Sequence, residues 1–105
     1  ELKSAYYGIP ASPGKCRGVI TRNLRNLNEN SILMLEDAQI SEVHYIENIK
    51  GVVAAMGGML SHLAIVCREL NKPFVVSILE MIPDGVYVEM DADKGCITVL
   101  ESNIK

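Results

Sequence analysis

The stretch MGGMLSHLAIVCREL, residues 56–70, sets His62 directly after Gly57, Gly58 and Ser61 and directly before an almost wholly apolar run. Polar rings are costly beside a core unless they are hydrogen-bonded. Three uses of such a histidine are open: a satisfied core or boundary residue, a metal ligand, or a group that does chemistry. Glycine lets backbone approach a ligand closely and adopt positive φ. The first turn of a helix leaves its N–H groups without intrahelical partners, and the macrodipole is positive there. A strand, a glycine pair and a helix start therefore make a ready phosphate site. Neutral imidazole is a nucleophile near pH 7, because its unperturbed pKa is about 6.5. A positive helix end disfavours imidazolium and would stabilise an anionic phosphoryl product, each by about 0.3–2 kcal/mol. Ser61 adds a hydroxyl and is a candidate N-cap.

The other chemistries have less support. The second histidine, His44, falls in a different predicted helix, and no thiolate has metal-ligand spacing to His62, so no metal site is expected. Cys67 lies five residues on, about 140° net around a helix, and cannot readily face His62. It reads as a small buried residue. Cys16, Cys67 and Cys96 are widely spaced with no CxxC, which suits reduced thiols in a cytoplasmic protein.

The elements that must position His62 follow from hydrophobic patterning. Residues 8–18, GIPASPGKCRG, form a turn-laden entry, with a strand near Cys16 to Arg22. NLRNLNEN, residues 23–30, reads as a loop. SILML (31–35), VVAAM (52–56) and FVVSI (74–78) are short apolar runs expected as buried strands. Between the first two, Ile40, Val43, Ile46 and Ile49 recur every three residues and predict an amphipathic helix over 37–50. Ser41 or Asp37 would cap it and Gly51 would stop it. A second helix runs from about Ser61 to Leu70 and ends before Pro73. Segments 85–89 and 96–100 alternate as strands about the turn DADKG, residues 91–95. The fold class is α/β: a mixed sheet with a βαβαβ middle and β-rich ends.

Composition narrows the classes. The chain has 105 residues, 49% hydrophobic and 22% charged, which fits one domain, 1–105, with a real core. A net charge of -3 and five aromatics without Trp argue against nucleic-acid binding. No apolar run approaches the ~20 residues that span a bilayer, so no membrane partner is expected. The chain opens on Glu1 rather than methionine, which suggests a fragment of a larger chain.

GGMLSHLAIVCRELNKPFVVS, residues 57–77, closely resembles the phosphohistidine segment of the phosphoenolpyruvate-utilising enzymes, such as pyruvate phosphate dikinase and phosphoenolpyruvate synthase. Ser12-Pro13-Gly14 with Gly18 resembles the start of that family's mobile domain, and DADKG before ITVL resembles its end. The resemblance implies a swivelling β/β/α domain whose histidine is phosphorylated at one active site and discharged at another. Carried over, His62 is the phosphorylated nucleophile. Gly57, Gly58 and Ser61 shape its loop and contact the phosphate, and Arg68 is either an anion contact or a structural ion-pair partner. Leu60 stands where threonine is commonest, although members resembling rifampicin phosphotransferases also carry leucine. Leu63 replaces a small residue, and Ser77 and Ala92 replace common glycines.

The expected function is thus a phosphoryl carrier, one domain of a dikinase-type phosphotransferase and not a complete catalyst alone. It binds no cofactor itself. No GxxxxGK[ST] loop is present. ATP and Mg²⁺ would belong to an ATP-grasp-like nucleotide-binding domain, and phosphoenolpyruvate, pyruvate or another acceptor to a further domain, both in the same parent chain. The alternative, motivated by Leu60 and Leu63, is a regulatory or docking module that keeps the fold without taking phosphate.

Overall fold

The computed structural model describes residues 3–38, 44–58 and 60–102. Eight strands form one sheet: β1 (Ala5–Tyr7), β2 (Ile9–Ser12), β3 (Lys15–Thr21), β4 (Ser31–Asp37), β5 (Gly51–Met56), β6 (Phe74–Val76), β7 (Val86–Asp91) and β8 (Cys96–Ser102). One α-helix, α1 (His62–Glu69), joins β5 to β6. The spatial order is β1-β8-β7-β3-β4-β5-β6-β2. Strands β3 to β6 are mutually parallel, and the flanking pairs are antiparallel. The expected mixed sheet with parallel middle and β-rich ends is the observed one.

The order has a geometric consequence. β1 and β2 are opposite edges, seven steps apart in the order, about 33 Å at the usual strand spacing if the sheet were flat. Yet only Gly8 separates Tyr7 from Ile9, a span of at most about 7 Å. The sheet must therefore curl until its edges meet. At the junction the Gly8 N–H donates to the Gly95 carbonyl at 2.8 Å. A Cβ on Gly8 would lie 2.5 Å from the Val76 carbonyl oxygen, and one on Gly95 would lie 2.3 Å from the Gly8 oxygen.

The curl divides the core by strand alternation. Ile32 and Met34 of β4, Val53 of β5 and Val75 of β6 face inward, where Val86, Val88 and Met90 of β7, Ile97 of β8 and Tyr6 of β1 complete the filling. Leu33, Val52, Ala54, Phe74 and Val76 point to the other face, where Leu63, Ala64 and Cys67 of α1 cover them together with Ile46 and Ile49. The middle strands are apolar on both faces because both are buried.

Three expectations are corrected. The region 37–50 is not an α-helix where it is described. Asp37 ends β4 and pairs with Met56, and His44–Asn48 is a 3-10 helix. Residues 39–43, with Ile40, Ser41 and Val43, lie outside the described residues. An apolar spacing of three serves a 3-10 turn as well as an α-helix, since residues i and i+3 eclipse there. Gly51 is no helix stop but the first residue of β5, with Lys50 N–H donating to the Ser31 carbonyl at 2.8 Å. The entry segment holds β2, an edge strand that tolerates Pro10 because its outer side needs no ladder donor.

The junction is testable. Gly95 sits at φ +76 with a backbone oxygen where its Cβ would go, so Gly95→Ala combines strain with a clash that no side chain can relieve. Equilibrium urea unfolding is expected to show a loss of more than about 2 kcal/mol. A loss below about 0.5 kcal/mol would mean that the edges are not held there.

Candidate functional site

The parallel strands β4, β5 and β6 end at Asp37, Met56 and Val76 on one side of the sheet, the side where parallel sheets bind ligands. The chain leaving β5 is held from both flanks. Ala38 N–H, beyond β4, donates to the Met56 carbonyl at 2.9 Å. The Ser77 hydroxyl, beyond β6, donates to the Gly57 carbonyl at 3.2 Å.

The two glycines do different work. Gly57 has φ +132, and a Cβ there would lie 2.4 Å from Cβ of Ala38. It is required by backbone shape and by the closeness of the neighbouring strand. Gly58 lacks positive φ. A Cβ there would meet nothing nearer than the Leu60 nitrogen at 3.9 Å. The space over Gly58 is open to an incoming group.

Ser61 is the N-cap of α1, with extended backbone and its Oγ accepting from Ala64 N–H at 3.2 Å. Its own N–H donates to the Gly58 carbonyl at 3.2 Å, which closes the loop. The first backbone bond of the helix runs from Ile65 N–H to the Ser61 carbonyl at 3.2 Å. Helix geometry then leaves the N–H groups of His62 and Leu63 without intrahelical acceptors. As an acceptor, the Ser61 hydroxyl retains its own proton to donate.

His62 is the first residue of α1, and its side chain is exposed. Leu63 is fully buried against the sheet, so it points away from the solvent side that His62 occupies. Leu60 is 86% exposed. Met56 and Ile65 are also exposed, the latter one helical turn beyond His62. The site is therefore an exposed, partly apolar surface at this end of the molecule. Surface depressions lined by Arg22 and Asp84, by Glu47 and Lys72, and by Ser12 and Asp93 do not include His62.

Residues 27–95 match the family described as PEP-utilising enzyme, mobile domain. The chain belongs to this family. The mobile domain is 34% identical over 101 residues to chondramide synthase of Chondromyces crocatus, covering 89% of this chain and 3% of that protein. It is 29% identical over 99 residues to phosphoenolpyruvate synthase of Aeropyrum pernix, covering 86% and 12%. Against rifampicin phosphotransferase of Bacillus cereus it is 29% identical over 103 residues, covering 91% and 12%. A solution structure of Enzyme I aligns with a TM-score of 0.60 at 25% identity, over 78% of this chain and 35% of that one. The mobile domain thus spans only a small part of the curated relatives' length.

Within the mobile domain the fold gathers Gly57, Gly58, Ser61 and His62 at one end. Arg68 lies six residues further on, about 9 Å along the helix axis. Its Nε donates to the Ala11 carbonyl at 2.8 Å and ties α1 to β2. The helix ends in a Schellman arrangement: Asn71 is left-handed at φ 57, Lys72 N–H donates to Cys67 O at 2.8 Å, and Asn71 N–H to Arg68 O at 3.3 Å. No helix of the described residues is long and apolar enough to cross a membrane. Two contributors to the site, Ala38 and Ser77, are far from the histidine in sequence. Ala38 carries no motif, and Ser77 stood out only as a replaced glycine.

Burial pushes the Cys67 thiol from 9.0 up to about 12, and the Cys16 thiol to about 11. A raised folded-state pKa means that the native chain keeps its proton where the unfolded chain loses it. Stability from Cys67 is therefore full below about pH 9 and declines as pH rises toward 12. The wild type is expected to lose stability more steeply than Cys67→Ala over that window in denaturant titrations. Iodoacetamide at pH 8 is expected to leave native Cys67 unmodified.

The unequal glycines give a second test. Gly57→Ala is expected to cost about 2–4 kcal/mol, from φ strain and the Ala38 contact. Gly58→Ala is expected to stay within about 0.5 kcal/mol of the parent. Equal costs in chemical denaturation would contradict the geometry.

Proposed function

We propose that this mobile domain is a phosphoryl carrier and that His62 carries the group. The observation that supports the reading most is the placement of an exposed imidazole on the first residue of a capped helix, at the carboxyl ends of three parallel strands. In the first half-reaction the lone pair of one imidazole nitrogen attacks phosphorus and the donor's P–O bond breaks. In the second, an acceptor oxygen attacks and the P–N bond breaks. The phosphoryl group adds negative charge beside the helix start. The N–H groups of His62 and Leu63 and the Ser61 hydroxyl are the donors available to it. The open space above Gly58 lets the group approach the backbone. Arg68 enters as the anchor that holds α1 on β2, so that the helix start keeps its position.

Donor and acceptor sites belong, in this reading, to other domains of a parent chain. Among the described residues no group of three or more His, Cys, Asp or Glu is arranged to hold a metal ion. ATP and Mg²⁺ are assigned, in the same reading, to a nucleotide-binding domain, and phosphoenolpyruvate, pyruvate or another acceptor to a further one. The exposed His62 side chain suits such use, because a carrier's reacting group must enter two clefts in turn. The exposed Met56, Leu60 and Ile65 would be covered on docking, which excludes water during transfer.

The parent protein, incubated in turn with ATP labelled at both the β- and γ-phosphoryl groups and with labelled phosphoenolpyruvate, is expected to take up acid-labile phosphate on His62. His62→Ala is expected to lose at least about a thousandfold in turnover, as removal of a nucleophile does. Label on another residue, or full turnover by the variant, would defeat the reading. No label together with retained binding to the partner domains would favour the docking module.

A further inference from the structure

The segment after β6 is strained where it touches the histidine loop. Ser77 has φ 60 and Leu79 has φ 69, both in the left-handed region that side chains other than glycine rarely occupy. Glycine at position 77 would hold the same backbone at lower cost. Serine there carries a hydroxyl, and that hydroxyl donates to the Gly57 carbonyl at 3.2 Å across a gap of twenty residues. Gly57 is the residue from which the chain turns off β5 toward His62, and its own φ is +132. On the opposite flank Ala38 N–H holds the Met56 carbonyl at 2.9 Å. Two successive carbonyls at the root of the loop are thus held from the two neighbouring strands. One is fixed by backbone, which any residue provides. The other is fixed by a side chain, which only a donor at position 77 provides.

We infer that Ser77 is a positioning residue: its hydroxyl fixes the Gly57 carbonyl and so sets where the loop delivers the His62 imidazole for phosphoryl transfer. This rests on His62 being the carrier. A strained residue is informative when the strained conformation places a group that a relaxed substitute lacks, and Ser77 meets that condition. Without the bond, the loop from Gly57 to Ser61 is held on one flank only. The N-cap survives, because Ser61 bonds to Gly58 and Ala64 within the loop and helix. What is lost is the angle at which the capped helix start stands on the sheet. Positioning errors of about an ångström at a reacting group lower rates sharply even when the fold persists.

The test uses the full-length parent protein with three forms: wild type, Ser77→Gly and Ser77→Asn. Ser77→Gly relieves the left-handed backbone and removes the donor. Ser77→Asn tolerates the left-handed backbone and restores a donor through its amide. The glycine variant is expected to unfold at the same or a higher temperature, to exchange amide hydrogens faster in the peptide covering residues 57–62, and to phosphorylate His62 about tenfold more slowly, or ~1.4 kcal/mol in barrier. The asparagine variant is expected to recover most of both the protection and the rate. Gain of stability with loss of rate is a split that a merely structural residue does not give. Unchanged exchange in the glycine variant would overturn the inference whatever the rate does. Faster exchange with a wild-type rate would overturn it too. If wild type takes no label on His62 while exchange still responds to Ser77, the carrier reading has failed and the positioning role falls with it.

Discussion

The single-residue link at Gly8 constrains everything else in the molecule. Strands seven places apart in the sheet are consecutive in the chain, so the sheet has to close before either edge can pair. Closure brings Gly8 against Gly95 and Val76 so tightly that a methyl group has no room on either glycine. It also wraps β7 and β8 over β4 and β5, so that one cluster takes side chains from seven of the eight strands. A small chain gains much from this, because a curled sheet buries its inner face without needing a helical layer there. On the outer face α1 covers β4, β5 and β6 together with Ile46 and Ile49. The apolar side of α1, with Leu63, Ala64 and Cys67, is consumed by that task.

The division of α1 follows directly. Its inward residues fix its height and rotation on the sheet, and Arg68 ties its far end to the backbone of β2. Its first residue is then presented on the solvent side of the helix. The cap makes the same point in electrostatic terms. Ser61 satisfies one of the orphan donors of the first turn, and those of His62 and Leu63 stay available for an anion. The core-packing residues and the exposed histidine thus occupy opposite sides of eight residues.

Much of this was legible in the sequence, for identifiable reasons. The strands Ser31–Asp37, Gly51–Met56 and Phe74–Val76 are apolar runs of strand length, and their burial on both faces leaves no competing pattern. The start of α1 was legible because Ser61 is a strong capping residue, and its end because Pro73 stops a helix. Residues 44–49 misled because Ile46 and Ile49 stand three positions apart, a period that a 3-10 turn shares. β1 and β2 were hidden because they are short edge strands, one of them holding Pro10, and because their pairing with β8 and β6 is set by closure rather than by local pattern. At the site, Gly57, Gly58, Ser61 and His62 could be read as a contiguous motif. Ala38 and Ser77 could not be assigned as partners, since only the parallel register of β4, β5 and β6 brings their segments beside Gly57.

That register also gives meaning to the residues that depart from the family's pattern. Leu63 stands in place of a small residue directly after His62, but one position along a helix is about 100° of rotation. This turns Leu63 into the core while His62 faces out. Ala92, standing where glycine is common, lies outside the left-handed region and is buried, with its N–H on the Gly14 carbonyl at 2.8 Å. Its methyl group fits where it is. Ser77 is different, because it holds the left-handed conformation without being glycine. The three substitutions look alike as sequence departures and are physically unlike: one is absorbed by helix rotation, one by ordinary packing, and one is held at a cost in backbone strain. The strain falls on the strand end that touches the histidine loop, where β6 returns the chain to the site that α1 left.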